Sequence, residues 1–383
     1  MPSTLFARLP TTIFTHMSAL AVAHNAINLG QGFPDEDGPL AVREVAARAL
    51  TDGPNQYPPM KGRAELRRAV AGHAKRFYDL NFDPETEVLI TSGATEALTA
   101  SIMGLVGQGE EIVLIEPSYD CYRPIAQAVG AVVKSVKLAP PHWRLTEAAL
   151  RAVIGPNTRA VLINTPLNPI GRVFGREELE LLAKVVKDTN ALVICDEVYE
   201  HLVFDGKRTP PLIALPGMAE RCVRIGSAGK MFSLTGWKVG WVTGPARLVD
   251  VVTKAHQFIT FTTPAALQLG VADGIENHID FTLQLTQDLQ AKRDKLAAGI
   301  AKLGFDLLPC EGTYFLTASI ANLTNEPDQI FCERLVKEAG VALIPLSVFF
   351  SEAKPTNMVR FAFCKKHAVI EEAVARLERY FKT

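Results

Sequence analysis

Between Val88 and Thr243 the chain alternates two textures. Short apolar runs, Val88-Leu-Ile-Thr91, Ile112-Val-Leu-Ile115, Ala131-Val-Val133, Ala160-Val-Leu-Ile163, Leu192-Val-Ile-Cys195, Val223-Arg-Ile225 and Val239-Gly-Trp-Val242, are separated by stretches with helical spacing of apolar residues, such as Glu177 to Val186. Runs this apolar predict strands buried on both faces, hence an α/β fold with a mainly parallel central sheet and helices on either side. After a long helical pattern from Phe281 to Leu303 the texture changes to α+β, with strands at Tyr314-Phe-Leu316 and Met358 to Phe363 and a closing helix from Val369 to Tyr380. With 383 residues, 48% of them hydrophobic, two cores are expected: a large domain over 41–280 and a smaller one over 281–383.

A parallel sheet presents ligands at the carboxyl ends of its strands. Ser92 and Gly93, Asn168, Asp196 and Ser227 all follow such ends. Just beyond Ser227, in Ser227-Ala-Gly-Lys-Met-Phe-Ser-Leu-Thr-Gly-Trp-Lys-Val-Gly240, Lys230 stands among small residues with a second cation, Lys238, and the aromatic rings of Phe232, Trp237 and Trp241 nearby. Burial and a cationic neighbour both lower a lysine's pKa, and a neutral lysine is a nucleophile that forms a Schiff base with an aldehyde.

Charge narrows the ligand. Forty basic side chains against 41 acidic ones make no field for a polyanion, so nucleic acid and anionic membrane surfaces are not expected partners. Cys121, Cys195, Cys222, Cys310, Cys332 and Cys364 are scattered without a CxxC pair or metal-ligand spacing, as in a reduced, cytoplasmic protein. The opening segment Met1 to Pro10 lacks the apolar core of a signal peptide and no downstream run reaches membrane-spanning length. Gly229-Lys230 is no P-loop, since Met231 stands where Ser or Thr must bind magnesium. No HExxH or other metal set occurs.

Ser227-x-x-Lys230 with Lys238 inside Gly-Trp-Lys-Val-Gly-Trp, Asn28-Leu-Gly-Gln-Gly-Phe-Pro-Asp35 and Glu116-Pro-Ser-Tyr-Asp-Cys-Tyr122 together resemble the class I pyridoxal-phosphate-dependent aminotransferases of fold type I. They are most similar to the kynurenine and methionine branch, with matching segments from Thr11 to Lys365. The resemblance implies that residues 1–40 form an arm joining the small domain, and that the cofactor is pyridoxal 5'-phosphate. Its phosphate would sit on Ser92-Gly93-Ala94-Thr95 at a helix start, a segment that also reads as a plain helix cap. Ser227 and Lys238 would complete the seat, with Tyr57 of a partner subunit. Asp196 would keep the pyridine nitrogen protonated, Tyr199 and Asn168 would meet the phenolic oxygen, and Tyr119 would stack on the ring. Outside the resemblance, Tyr57 also reads as a turn aromatic, Asn168-Pro169 as a turn device and Tyr119 as a surface ring.

An amino-acid substrate brings an α-carboxylate, best gripped by a planar bidentate donor. Arg360, alone among apolar neighbours in Met358-Val-Arg-Phe-Ala-Phe363, fits this role and also reads as a solvent-facing strand arginine. By resemblance the Gly32 backbone assists it, and Phe261 reaches a neighbouring site. The resulting expectation is a homodimer with shared active sites that moves an amino group from an L-amino acid, methionine or an aromatic or large apolar one preferred, to a 2-oxo acid by ping-pong chemistry. A carbon–sulfur β-lyase and a non-catalytic cofactor-binding regulator are the alternatives on the same scaffold. Lys238 in place of arginine, the apolar Leu167 and Ile170 flanking Asn168, and Met231 depart from the common family pattern.

Overall fold

The computed structural model describes residues 5–53, 55–208 and 210–382; Met1–Thr4, which open the segment read as lacking a signal peptide, lie outside them. Its strands, in chain order, are β1 (Ile27–Asn28), β2 (Val88–Thr91), β3 (Glu111–Glu116), β4 (Val132–Lys137), β5 (Thr158–Asn164), β6 (Leu192–Asp196), β7 (Cys222–Ser227), β8 (Gly240–Thr243), β9 (Asp306–Leu307), β10 (Phe315–Ser319), β11 (Val341–Ala342), β12 (Ile344–Pro345) and β13 (Met358–Ala362). The large sheet has seven strands in the order β2-β8-β7-β6-β5-β3-β4. Pairings β4-β3-β5-β6-β7 are parallel, whereas β8 runs antiparallel to both β7 and β2.

The central strands are buried along their length because helices cover both faces. The apolar residues of one face, Leu114, Leu162, Ile194 and Ile225, pack with Leu98, Ile102 and Val252, while those of the other, Val113, Val161 and Val193, pack with Leu179, Leu182 and Val186. Alternate residues of one strand thus feed two different cores, which is why the runs read as continuously apolar. A four-stranded antiparallel sheet, β12-β13-β10-β9, makes the C-terminal layer, and β1 pairs in parallel with β11. The N-terminal segment is thereby tied to the C-terminal one by Ile27 opposite Val341 and Asn28 opposite Ala342. Among the described residues no helix is long and apolar enough to cross a membrane.

Candidate active site

The carboxyl ends of β5, β6 and β7 open into a cavity of about 380 Å³ whose lining includes Asn164, Asp196, Ser227 and Lys230. Asn164, Asp196 and Ser227 are the last residues of their strands, held by the ladder with their side chains at the opening, and Lys230 follows Ser227 in the short helix Ala228–Met231. Asn164 stands opposite Asp196 in register and donates from its amide to the Asp196 backbone carbonyl at 2.9 Å. Its own oxygen accepts the Asn168 N–H at 2.8 Å, so the β5 end orients the loop that carries Asn168.

Asp196 is 3% exposed. It accepts the Tyr122 hydroxyl at 2.5 Å and the Val198 N–H at 3.3 Å. Burial pushes its pKa up to about 6, with the Tyr122 bond and the charge of Lys230 pulling the other way. It has no cationic hydrogen-bond partner within the described residues, so its carboxylate is suited to a cation delivered by a ligand. Burial, assisted by the cations Lys238 and Arg360, brings Lys230 down to about 8 against the opposing pull of Cys364 and Asp196. Lys230 Nζ donates to the Tyr314 hydroxyl at 2.6 Å, and that hydroxyl donates to the Gly32 carbonyl at 2.6 Å. Nζ also lies 5.6 Å from the centre of the Tyr199 ring, whose hydroxyl is held protonated well above the usual range by burial.

At one end of the cavity the helix Gly93–Leu105 begins. Gly93 has φ +79°, and a Cβ there would lie 3.2 Å from Lys238 Cε; a Cβ on Gly240 would lie 2.7 Å from the Gly93 carbonyl carbon. Glycine at both positions lets the helix start, Ser227 and the left-handed Lys238, φ 52°, close on one another. Free amides at a helix start together with an ammonium form a seat for a phosphate dianion. Gly93, Ala94, Thr95, Ser227 and Lys238 line this end. Ser92, expected here, does not: its N–H donates to Glu96 at 3.0 Å and its hydroxyl pairs with Thr263 at 2.9 Å.

At the other end Arg360, 1% exposed, donates to Asn168 Oδ1 at 3.0 Å and to the Gly30 carbonyl at 2.9 Å. Its guanidinium lies 3.9 Å from the centre of the Phe315 ring, with Phe349 at 5.0 Å on its surroundings. Burial lowers its pKa to about 10, and its Nε has no hydrogen-bond partner among the described residues. A buried N–H left unpaired costs free energy until an acceptor arrives, and an incoming carboxylate is such an acceptor. Gly32 lines the cavity, where a Cβ would come within 2.4 Å of Phe315 Cζ.

The donor set therefore fits pyridoxal phosphate at every group: amides and Lys238 for the phosphate, Asp196 for the ring nitrogen, Tyr199 and the remaining Asn168 amide for the phenolic oxygen, Tyr119 beside the ring, and Lys230 for the aldehyde. Tyr57 and Phe261 are not part of this lining; they meet edge-on at 5.4 Å on the surface, 81% and 41% exposed. Tyr122 and Tyr314 carried no role in the sequence reading. Both sit inside or beside motifs already singled out, yet an aromatic before a strand gives no sign that its hydroxyl is aimed at a lysine from 84 residues away.

The family model described as aminotransferase class I and II matches residues 24–377. The solved structure of N-succinyldiaminopimelate aminotransferase from Mycobacterium tuberculosis superposes with a TM-score of 0.97 at 44% identity, covering 99% of this chain and 100% of that one. The methionine aminotransferase of Escherichia coli is 40% identical over 379 residues, 99% of this chain and 98% of that protein. The kynurenine–oxoglutarate transaminase of Dictyostelium discoideum is 34% identical over 412 residues, 97% and 94% of the two.

Proposed function

The chain belongs to the class I and II aminotransferases, pyridoxal-phosphate-dependent enzymes that move amino groups to 2-oxo acids, and we propose that its preferred donors are methionine and other large apolar or aromatic L-amino acids, kynurenine included. The observation that carries this is the charge of the cavity wall. Among the described lining residues the cations are Lys230, Lys238 and Arg360; two serve the cofactor and the third the α-carboxylate. A second carboxylate would be desolvated without a partner. Phe14, Phe33, Tyr119 and Phe315 instead line the cavity, a wall suited to an apolar side chain.

When bound, the cofactor supplies an aldehyde that takes up the amino group and an electron-poor ring that acidifies the α-carbon. Arg360 grips the substrate carboxylate through Nε and its free Nη hydrogens, and this fixes which substituent of the α-carbon faces Lys230. Released from its covalent role, the Lys230 amine takes the α-proton and returns it on the other side of the transfer; a pKa near 8 suits both directions. Asp196 holds a proton on the ring nitrogen beside it, and Tyr122 holds Asp196. The amides of Gly93 to Thr95, Ser227 and Lys238 anchor the phosphate so that the reacting end does not drift.

Tyr57 and Phe261 support a homodimer in which each serves the neighbouring cavity. Mixing the inactive Lys230→Ala protein with a Tyr57→Ala variant should then restore one site per hybrid; no gain after verified subunit exchange counts against sharing. We assign residues 41–280 to a large domain and 281–383 to a small one joined by the arm 1–40, on the β1–β11 pairing, and the reduced cysteines suit a cytoplasmic setting.

A second reading, a long acylated acidic amino acid of the succinyldiaminopimelate kind, is favoured by the 44% identity to the mycobacterial enzyme. The deciding measurement is kcat/KM for methionine, phenylalanine, kynurenine, aspartate and N-succinyldiaminopimelate with one common 2-oxo acid. Best turnover of the apolar donors is expected. Preference for the succinyl compound moves the assignment to the second reading, and preference for aspartate overturns both.

A further inference from the structure

A second opening, a groove of about 1220 Å³, shares no lining residue with the active-site cavity. His201, Glu200, Glu197 and Tyr78 reach it, and His73 stands behind them on the helix Ala64–Tyr78. We propose that His73, Glu200 and His201 bind one divalent transition-metal ion of the zinc class.

The two imidazoles face each other Nε2 to Nε2 at 2.6 Å. At that separation only one hydrogen fits between them, so at least one ring presents a bare lone pair, and a tautomeric shift of its partner frees the second without releasing a proton. One ligand atom from each of His73, Glu200 and His201 lies within 4.8 Å of the others. Zinc takes imidazole nitrogen at about 2.0–2.1 Å, which in a tetrahedron separates two nitrogens by about 3.3 Å. The rings therefore need to part by about 0.7 Å from 2.6 Å. Two histidines and a carboxylate leave the fourth position to water, supplied from the groove.

Charge around the dyad points the same way. Arg224 is bonded to Glu197 at 2.7 Å and to Glu200 at 3.2 Å, its guanidinium lies over the Tyr78 ring at 4.8 Å, and Arg76 adds a second cation near His73. Arg224 is shared between the two carboxylates, and Glu197, 4% exposed, keeps one oxygen, Oε1, with no hydrogen-bond partner among the described residues. A buried carboxylate oxygen without a donor, in the cluster that joins Glu197 through Glu200 to two facing imidazoles, is a place where a further positive charge is favourable. A divalent ion held by Glu200 frees part of Arg224 for Glu197 and supplies that charge. Its residues lie 128 positions apart, so no spacing in the sequence announces the set. Once bound, the ion ties the helix Ala64–Tyr78 to the segment that follows Tyr199.

The test uses the holoenzyme. After dialysis against a chelator, zinc is added and the metal retained per chain is counted by mass spectrometry, with affinity from titration calorimetry. One zinc per chain with a submicromolar Kd is expected. His73→Gln and His201→Gln should each weaken binding at least tenfold, whereas His73→Cys, which restores a ligand at the same place, should keep it. Cobalt in the unaltered protein should show the intense visible bands of a tetrahedral site and lose them in both glutamine variants. No stoichiometric zinc, or zinc bound equally well by the two glutamine variants, overturns the proposal. Should one glutamine variant fail to fold, the other and His73→Cys still decide it.

Discussion

Asp196 and Glu197 are neighbours at the end of β6, both buried, yet they serve two different openings. Glu197 is paired within the chain: Arg224 holds it, and Glu200 and Tyr78 complete the cluster. Asp196 has a hydroxyl and a backbone N–H but, among the described residues, no cation bonded to it. Burial raises both pKa values, so neither charge is comfortable. The fold answers one with a built-in partner and leaves the other to a ligand. Changes on the Glu197 side should therefore read out as lost stability, and changes on the Asp196 side as lost rate.

The sharpest break of that contrast is at Lys230. Lys230→Ala removes both the covalent anchor and the base for the α-proton, and transamination should fall by about 10⁴-fold or more with the fold intact. Borohydride reduction of the unaltered holoenzyme should fix the pyridoxyl group on the peptide containing Lys230. Normal turnover in the alanine variant would remove the assignment.

Asp196→Asn comes next and has two readouts of opposite sign. Without a carboxylate the ring nitrogen loses its proton, and the half-reaction rate should drop by about 10³-fold, as for other lost electrostatic partners of a developing charge. Stability of the cofactor-free protein should instead rise. The folded pKa, about 6, lies above the ordinary 3.8, so the folded state binds the proton more tightly and Asp196 costs stability once it ionises. That cost is absent below about pH 4, grows between pH 4 and 6 and is full above 6, where it reaches about 3 kcal/mol. An asparagine that slows catalysis without stabilising the cofactor-free protein at pH 7.5 would place the carboxylate in a friendlier setting than burial implies.

How much of this was legible follows from the same contrast. The residues that line the active-site cavity lie at strand ends or inside short motifs, so the convergence of Asp196, Tyr199, Ser227, Lys230 and Lys238 on one cavity was expected from local pattern and resemblance, and the strand runs from Val88 to Val242 fell on β2 to β8. What the sequence hides is pairing over distance. Nothing local marks β8 as antiparallel, or joins Ile27 to Val341 through strands of two residues. Ser92 reads as part of the anion seat until Glu96, one turn on, is seen taking its N–H. Nothing in the sequence singles out His73, because its partner His201 comes from another element.

On the other side of β6, Arg224→Met should cost about 3–5 kcal/mol of stability, since Glu197 and Glu200 would be left as buried charges without their cation. Methionine keeps much of the packing on Tyr78, so the loss is mainly electrostatic. Steady-state kcat and KM should change by no more than about threefold, because Arg224 does not line the active-site cavity. Denaturant midpoints and kinetics on one preparation decide the matter. A large fall in kcat with stability untouched would show that the two sides of the strand end are coupled in function and not merely adjacent.

The smallest effect belongs to Tyr314, which sits between Lys230 and the Gly32 carbonyl. Its hydroxyl accepts from Nζ and donates to Gly32, so it holds the amine in place and pins the loop that carries Gly32 against the cavity. It is a positioning residue. Tyr314→Phe removes both bonds and keeps the ring that packs edge-on against Tyr199 at 5.3 Å. One neutral hydrogen bond is worth about 0.5–1.5 kcal/mol, so kcat should fall about 2- to 10-fold. KM for the amino donor should stay close to its original value, because Arg360 and its partners are untouched. The amine, no longer tied to a hydroxyl, should also change the limb of the kcat–pH profile that Lys230 governs, a readout that loss of packing alone would leave in place. A rise in KM with kcat and pH profile unchanged would mean that the hydroxyl serves the Gly32 loop alone, and that Lys230 is positioned by its own short helix.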